Sequence, residues 1–105
     1  MGKSKKAVSC PAERTLKIFG GRWKLMILHE LCSGVSRFGA LHRVLKGVSE
    51  KVLAQQLREL ERDGVVEKTV YPEVPPRVEY SLTASGKTLK PIIESMHDWG
   101  LKHSG

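Results

Sequence analysis

Residues 37–82 read RFGALHRVLKGVSEKVLAQQLRELERDGVVEKTVYPEVPPRVEYSL, and they carry the clearest structural pattern in the sequence. Apolar residues recur at spacings of three and four over 37–46 and 49–63, which predicts two helices separated by a glycine. Two segments rich in β-branched residues follow at 65–71 and 77–82, which predicts a pair of strands. Two helices joined by a short turn and followed directly by a hairpin indicate a winged helix-turn-helix.

Three further helices are predicted outside this stretch, at residues 12–19, 22–34 and 83–103. The second of these is apolar nearly all round and should be the central buried helix. The stretch VSRF at 35–38 adds a short strand before the helix pair. The last helix should begin with Thr83 as its N-cap and bend at Pro91, because proline removes a backbone hydrogen bond. The expected fold is mainly α with a small β-hairpin (α+β).

The charge balance of the chain indicates the class of its partner. The sequence has 105 residues, which suits one domain, and its 18 Lys and Arg against 11 Asp and Glu give a net charge of +7. Such an excess favours a polyanion, most often nucleic acid. Residues 1–9 are interpreted as a mobile basic arm before a domain spanning 10–103. Because no apolar run reaches membrane-spanning length and the N-terminus lacks a signal-peptide pattern, a cytoplasmic location is expected.

The segment 49–64 separates into two faces when it is wound at about 100° per residue. The face expected to meet the core comprises Leu53, Leu57, Leu60 and Gly64. The opposite face comprises Lys51, Gln55, Arg58 and Arg62. The acids of the segment lie on the flanks, whereas an ordinary surface helix mixes both signs of charge. This segregation favours insertion into a groove lined with phosphates, and hence DNA binding.

Nine residues are candidate DNA contacts: Arg37, Arg43, Ser49, Lys51, Gln55, Gln56, Arg58, Arg62 and Arg77. Lys51 and Gln55 lie in the first half of the helix predicted at 49–63, where they can reach base edges. Lysine most naturally contacts a guanine, and glutamine an adenine. The two arginines farther along that helix should meet the DNA backbone. The arginines of the preceding helix should do the same, because the first helix of such a pair crosses the backbone.

The loop between the strands contains Pro72, Pro75 and Pro76. Prolines there should lie between the strands and outside the ladder, where they stiffen the tip without removing a paired N–H. A stiff tip could present Arg77 to a phosphate or to the minor groove. Glu73 should point away from DNA or pair with a nearby base, either Lys68 or Arg77.

Several motifs in this chain resemble those of a known family. They are GGRW, RFGAL, the block from LRELERDG through YPEVPPRVEYSLT, and the WG of MHDWG. Together with RTLKIFGGRWKLMILHEL at 14–31, they are similar to the HxlR-type winged helix-turn-helix transcriptional regulators of the MarR-like superfamily. The resemblance covers about residues 10–100, nearly the whole chain.

This resemblance implies a homodimer that binds palindromic operator DNA and regulates transcription, with most of the dimer interface formed by the first and last helices. Carried onto this chain, the interface comprises Leu16, Ile18, Phe19, Leu89, Ile92, Ile93, Met96 and Trp99. The apolar stripe of the last helix agrees with this in part, because it is wider than the end helix of an isolated domain needs. The effector, whether an oxidant or a small molecule, is left open.

The two cysteines have different surroundings in the sequence. Cys32 belongs to the most apolar helix and is interpreted as a small core residue. Cys10 precedes Pro11 at a helix N-terminus, near Lys5 and Lys6, and both features stabilise a thiolate. Some HxlR-type regulators use a cysteine at this place to sense oxidants or electrophiles, so the resemblance implies a possible redox role for Cys10.

Other functions are less consistent with the residues. The histidines are not spaced for chelation, so neither a metal site nor a cofactor is expected. No arrangement of catalytic residues occurs at a convincing spacing, which argues against an enzyme. The remaining alternative is a winged-helix module that uses its basic face to bind RNA or protein without operator specificity.

Overall fold

The structure, a computed structural model, describes residues 10–104. The predicted basic arm at 1–9 therefore lies outside the described residues. The helices and strands, in chain order, are α1 (Pro11–Ile18), α2 (Lys24–Cys32), α3 (Phe38–Val44), α4 (Glu50–Arg62), β1 (Val66–Tyr71), β2 (Arg77–Leu82), α5 (Ala84–Lys87) and α6 (Lys90–His103). The mainly α winged helix-turn-helix fold is confirmed, with α3 and α4 as the helix pair and the β1–β2 hairpin as the wing.

The bounds of α4 follow from signals at its two ends. Ser49 is the N-cap, and its Oγ accepts a hydrogen bond from the backbone N–H of Val52 at 3.1 Å. After the helix, Gly64 has a φ of +79°, a left-handed conformation that glycine adopts without the strain of a Cβ. The chain can therefore turn sharply from α4 into β1.

The two strands of the wing pair antiparallel, in a register that runs from Val66 opposite Leu82 to Tyr71 opposite Arg77. Residues 72–76 form the connection, so the three prolines lie between the strands as predicted. The short strand predicted at 35–38 is reduced to one bridge between Arg37 and Glu79, supported by a hydrogen bond from the N–H of Tyr80 to the Ser36 carbonyl oxygen at 2.8 Å.

The single kinked helix predicted at 83–103 is wrong, because the structure has two helices there. Thr83 caps α5 as predicted, since its Oγ1 accepts from the N–H of Gly86 at 3.0 Å. However, α5 ends at Lys87 and α6 begins at Lys90. Pro91 is the physical reason: it has no N–H for the Lys87 carbonyl four positions earlier, and its ring would collide with that carbonyl in a continuous helix.

The core lies between α2, α4 and the wing, with α2 at its centre as predicted. Its largest fully buried side chains come from α2, α3 and α4: Ile27, Leu28, Leu41, Leu53, Leu57 and Leu60. One charged residue, Lys24, is also buried in α2. Within residues 10–104, no helix has the length and apolar character needed to cross a membrane.

Candidate nucleic-acid interface

Helix α4 carries an exposed row of polar and basic side chains on the side opposite the core. Its inward residues, Leu53, Leu57 and Leu60, are fully buried and so fix how the helix is rotated. The exposed row, called the α4 ridge below, consists of Lys51, Gln55, Arg58 and Arg62. The exposure predicted for these four residues is confirmed, while contact between the α4 ridge and DNA stays a prediction. The prediction that Gly64 faces the core is wrong, because Gly64 is exposed and lies after the end of α4, where the chain leaves the helix.

The two other candidates on this segment differ in position. Ser49 is exposed at the helix N-terminus, where its Oγ accepts from Val52 and its hydroxyl proton can still be donated to a phosphate. Gln56 is half-buried, and its Oε1 is 3.8 Å from the point where a Cβ on Gly21 would lie. Gln56 therefore faces the connection between α1 and α2, and not the exposed side of α4.

Helix α3 presents its two candidate arginines at the surface. Arg37 is the N-cap residue, and its Nε lies 3.7 Å from the Oε2 of Glu79 in the wing. Arg43 is exposed in the last turn. Next to it, His42 donates a hydrogen bond from Nε2 to the carbonyl oxygen of Val48 at 3.0 Å. This bond fastens α3 to the turn that leads into α4.

Arg77, the ninth candidate, is held by the wing itself. Its guanidinium lies over the Tyr71 ring, 4.1 Å from the centroid. Its Nη2 is 3.1 Å from the Oε2 of Glu73, and its Nε is 3.4 Å from the Oε2 of Glu79. Only 29 % of the Arg77 side chain is exposed. The aromatic ring and the two carboxylates therefore fix Arg77 across the base of the wing tip.

This arrangement agrees with one of the alternatives predicted for Glu73, pairing with Arg77. It also changes the expected character of the tip, because Arg77 does not extend freely into solvent. The side chain that does extend there is Val74, which is fully exposed among the prolines. A contact between Arg77 and a phosphate would have to be shared with Glu73 or replace that pair, and it stays a prediction.

The eight residues predicted for a dimer interface fall into two groups. Phe19, Leu89 and Ile93 are at most 9 % exposed and belong to the core of the protomer, so they cannot form the surface that a partner would cover. Ile18 is half-buried against the same core. The exposed members are Leu16, Ile92, Met96 and Trp99, of which Leu16 and Trp99 are about two-thirds exposed. Leu16 lies on α1 and the other three lie on α6.

The surroundings of the cysteines agree with the difference expected from the sequence. Cys10 is exposed at the N-cap of α1, and its backbone N–H donates to the Oε1 of Glu13 at 3.2 Å. Cys32 is half-buried, and burial raises the pKa of its thiol above the ordinary value. Cys10 is therefore the more accessible thiol of the two. Among residues 10–104, no group of three or more His, Cys, Asp or Glu side chains could hold a metal ion.

The sequence did not predict one set of contacts, which connects the α4 ridge to the buried side of the helix. The Nζ of Lys24 lies 2.6 Å from the Oε1 of Glu59, and the Oε2 of Glu59 accepts from the Nε2 of Gln55 at 3.4 Å. The hydrogen bond from Lys24 is the main reason why the pKa of Glu59 is lowered. A lone lysine within an apolar helical pattern was the available signal, because a buried ammonium group requires a partner.

Comparisons with known proteins agree with this fold and surface. Residues 18–105 match the family described as HxlR-like helix-turn-helix. YdeP of Bacillus subtilis (strain 168), described as an uncharacterized HTH-type transcriptional regulator, is 50% identical over 94 residues, which cover 90% of this chain and 73% of that protein. The redox regulator HypR is similar in structure in its reduced form, with a TM-score of 0.86, 43% identity, and coverage of 90% of this chain and 94% of that chain.

The oxidised form of HypR is also similar, with a TM-score of 0.83, 45% identity, and coverage of 90% of this chain and 97% of that chain. The family match spans most of the sequence, and it includes the helix pair, the wing and α6. These similarities agree with the motifs of the sequence and with the α4 ridge. The chain therefore belongs to the HxlR-like helix-turn-helix family of transcriptional regulators.

Proposed function

We propose that this transcriptional regulator acts as a homodimer on a palindromic operator, with α4 of each protomer in a major groove. The α4 ridge is the observation that carries the proposal. Helix α4 has 13 residues, which corresponds to a length of about 20 Å, and a helix of this diameter enters the major groove of B-DNA. Its buried leucines hold the helix so that the ridge leads into the groove.

Within this arrangement the ridge residues have separate roles. Lys51 and Gln55 lie in the first half of α4, the part that meets base edges in helix-turn-helix proteins. Arg58 and Arg62 follow one and two turns after Gln55 and contact phosphates. The exposed Arg43 of α3 adds a phosphate contact beside them. The basic net charge of +7 attracts the duplex from a distance.

The exposed apolar residues of α1 and α6 support the dimer. Leu16 and Trp99 are 65% and 66% exposed, an unfavourable arrangement for two large apolar side chains in water. A second protomer related by a two-fold axis would cover the same face on both chains. It would also place two copies of α4 with the symmetry of a palindromic duplex, since the half-sites of such a duplex are related in the same way.

Binding to the DNA upstream of its own coding sequence, measured as salt is varied, tests the operator proposal. If a dimer neutralises about eight phosphates, log K should fall against log salt with a slope of roughly −7. The protein should also prefer this duplex to one of random sequence. The stoichiometry, measured by sedimentation of the complex, should be two protomers per operator.

Two outcomes would contradict the operator proposal. A salt-independent affinity would exclude phosphate contacts as the main source of binding. Equal affinity for the upstream duplex, a random duplex and single-stranded RNA would favour the alternative, a winged-helix module without operator specificity. One protomer per duplex at saturation would refute the homodimer while leaving DNA binding intact.

We also propose that Cys10 makes the protein responsive to oxidants or electrophiles. The exposed position of Cys10 supports this, and so does similarity to HypR, a redox regulator whose reduced and oxidised forms both resemble this chain. Modification of Cys10 at the start of α1 would change the packing of α1 against a partner and thus the spacing of the two α4 helices.

Treatment with diamide or a quinone should therefore change operator affinity by roughly 5- to 150-fold, the range typical of coupled sites. The matched variant Cys10→Ser should bind the operator normally and should not respond, while Cys32→Ser should respond like the unsubstituted protein. Equal operator affinity before and after treatment of the unsubstituted protein would remove Cys10 as a sensor.

A further inference from the structure

Lys24 is a buried charged residue of the core, and it has a defined partner. Only 10 % of its side chain is exposed, so its ammonium group has lost most of its water and requires compensation from the protein. Glu59 supplies it through a 2.6 Å contact between Nζ and Oε1. Because Lys24 begins α2 and Glu59 lies in α4, this ion pair joins the central helix of the core to the helix of the basic ridge.

The same carboxylate has a second contact, on the exposed side of α4. Its Oε2 accepts a hydrogen bond from the Nε2 of Gln55, one helical turn earlier, at 3.4 Å. The buried Lys24 and the exposed Gln55 are thus connected through the two oxygens of one carboxylate. Glu59 remains ionised at neutral pH, since the hydrogen bond from Lys24 lowers its pKa below the ordinary value.

An ionised carboxylate restricts the orientation of the neighbouring amide. A glutamine side chain has a donor end and an acceptor end, and a carboxylate can accept only from the donor end. Turning the Gln55 amide over would bring its Oε1 against the negative charge of Glu59. One N–H of Gln55 therefore faces Glu59, while the second N–H and the Oε1 remain available. Those two groups are the pair that adenine requires at N7 and N6.

We propose that Lys24 and Glu59 are positioning residues that orient the Gln55 amide for base recognition, and so help to set the base preference of the protein from behind the α4 ridge. This inference rests on the proposed function, in which α4 enters the major groove. Neither residue needs to touch DNA. Lys24 holds the carboxylate in place, and the carboxylate holds the amide.

The variant Glu59→Gln tests this orientation, because it keeps the size of the side chain and removes the charge. A neutral amide at position 59 can donate as well as accept, so the side chain at position 59 no longer restricts the Gln55 amide to one orientation. The expected result is a loss of about tenfold in the preference for adenine at the base contacted by Gln55, within the range of one bidentate pair. Base preference is measured by sequencing the fraction of a randomised duplex pool that the protein retains.

The matched control is Glu61→Gln. It removes the same charge from the same helix, but its carboxylate is paired with neither Lys24 nor Gln55. Any general gain in DNA affinity from losing an acid should appear in both variants, whereas only Glu59→Gln should lose base preference. The variant Gln55→Ala identifies the base position concerned, since it should lose the preference completely.

A double variant distinguishes the positioning role of the ion pair from a purely structural role. Replacing both Lys24 and Glu59 with methionine removes both charges together, so that no buried charge is left without a partner. If the folded double variant loses base preference as Glu59→Gln does, the orienting role is supported. If both variants keep the base preference of the unsubstituted protein while Gln55→Ala loses it, the positioning role is refuted and the operator proposal stands. If the unsubstituted protein shows no base preference, both fail together.

Discussion

Replacing Gly86 with alanine should destabilise the protein by about 3 kcal/mol or more, at the upper end of the usual range for an overpacked site. Gly86 is buried in α5, where that helix packs against the backbone of Val65, the residue before β1. A Cβ at this position would overlap the carbonyl oxygen of Val65 and lie 3.0 Å from its carbonyl carbon. Because the obstruction is backbone, no side-chain rotation can relieve it.

The movement needed to admit the alanine would disturb several contacts at once. The Val65 carbonyl oxygen also accepts from the N–H of Thr83 at 3.1 Å, and the N–H of Gly86 donates to Thr83 Oγ1. Thr83 in turn donates from Oγ1 to the carbonyl oxygen of Gly64 at 2.6 Å. A shift of α5 would therefore strain the junction of α4, β1 and α5 together.

Urea and thermal unfolding measure this effect, and the melting temperature should fall by roughly 10–20 °C. Gly100→Ala is the control, since a Cβ there meets no atom within 4 Å and alanine favours a helix more than glycine does. That variant should be as stable as the unsubstituted protein or slightly more stable. Unfolding of Gly86→Ala at the same urea concentration as the unsubstituted protein would refute the close packing of α5 on the Val65 backbone.

Removing Arg58 and Arg62 together should reduce operator affinity on the order of 10³-fold at 0.15 M salt. Both side chains are exposed on the α4 ridge, so their replacement with alanine leaves the core unchanged. In a dimer the double variant loses about four phosphate contacts, and the salt slope should change from roughly −7 to roughly −4. Base preference should be retained, because Lys51 and Gln55 remain.

A double variant of Lys87 and Lys90 to alanine is the control for charge alone. Both lysines are exposed near the start of α6, outside the ridge, and their loss changes the net charge by the same amount. The control should keep nearly the full salt slope. The role of the arginines is falsified if the two double variants show the same slope and the same loss of affinity.

Much of the local structure could be predicted because its signals act over one helical turn. The N-caps Ser49 and Thr83 and the left-handed Gly64 mark boundaries by hydrogen bonds and backbone conformation that involve only neighbouring residues. The exposure of the α4 ridge was predictable for a similar reason, since helix geometry alone relates the buried face to the exposed one. Helices α5 and α6 were wrongly predicted as one helix, because the apolar pattern was given more weight than the break that Pro91 causes.

Side-chain partners within the candidate site were harder to predict. Glu73 lies four positions from Arg77, and their pairing was one of three alternatives predicted for Glu73. The partner of Lys24 was not foreseen, because Lys24 and Glu59 meet only after α2 packs against α4. Glu79 was missed as well, although it lies near both Arg37 and Arg77 once the wing has formed.

The class of fold, the order of its main elements and the basic outer face of α4 could be predicted from the sequence, because periodicity, caps and charge are properties of short segments. The apolar residues that the protomer uses for its own core became clear only from the tertiary structure. Phe19 and Ile93 are buried there, while Leu16 and Trp99 remain exposed, although all four have similar positions in apolar patterns. The hydrophobic effect is not directional. An apolar pattern therefore predicts that a side chain will be buried, but it does not predict which residues the side chain will pack against.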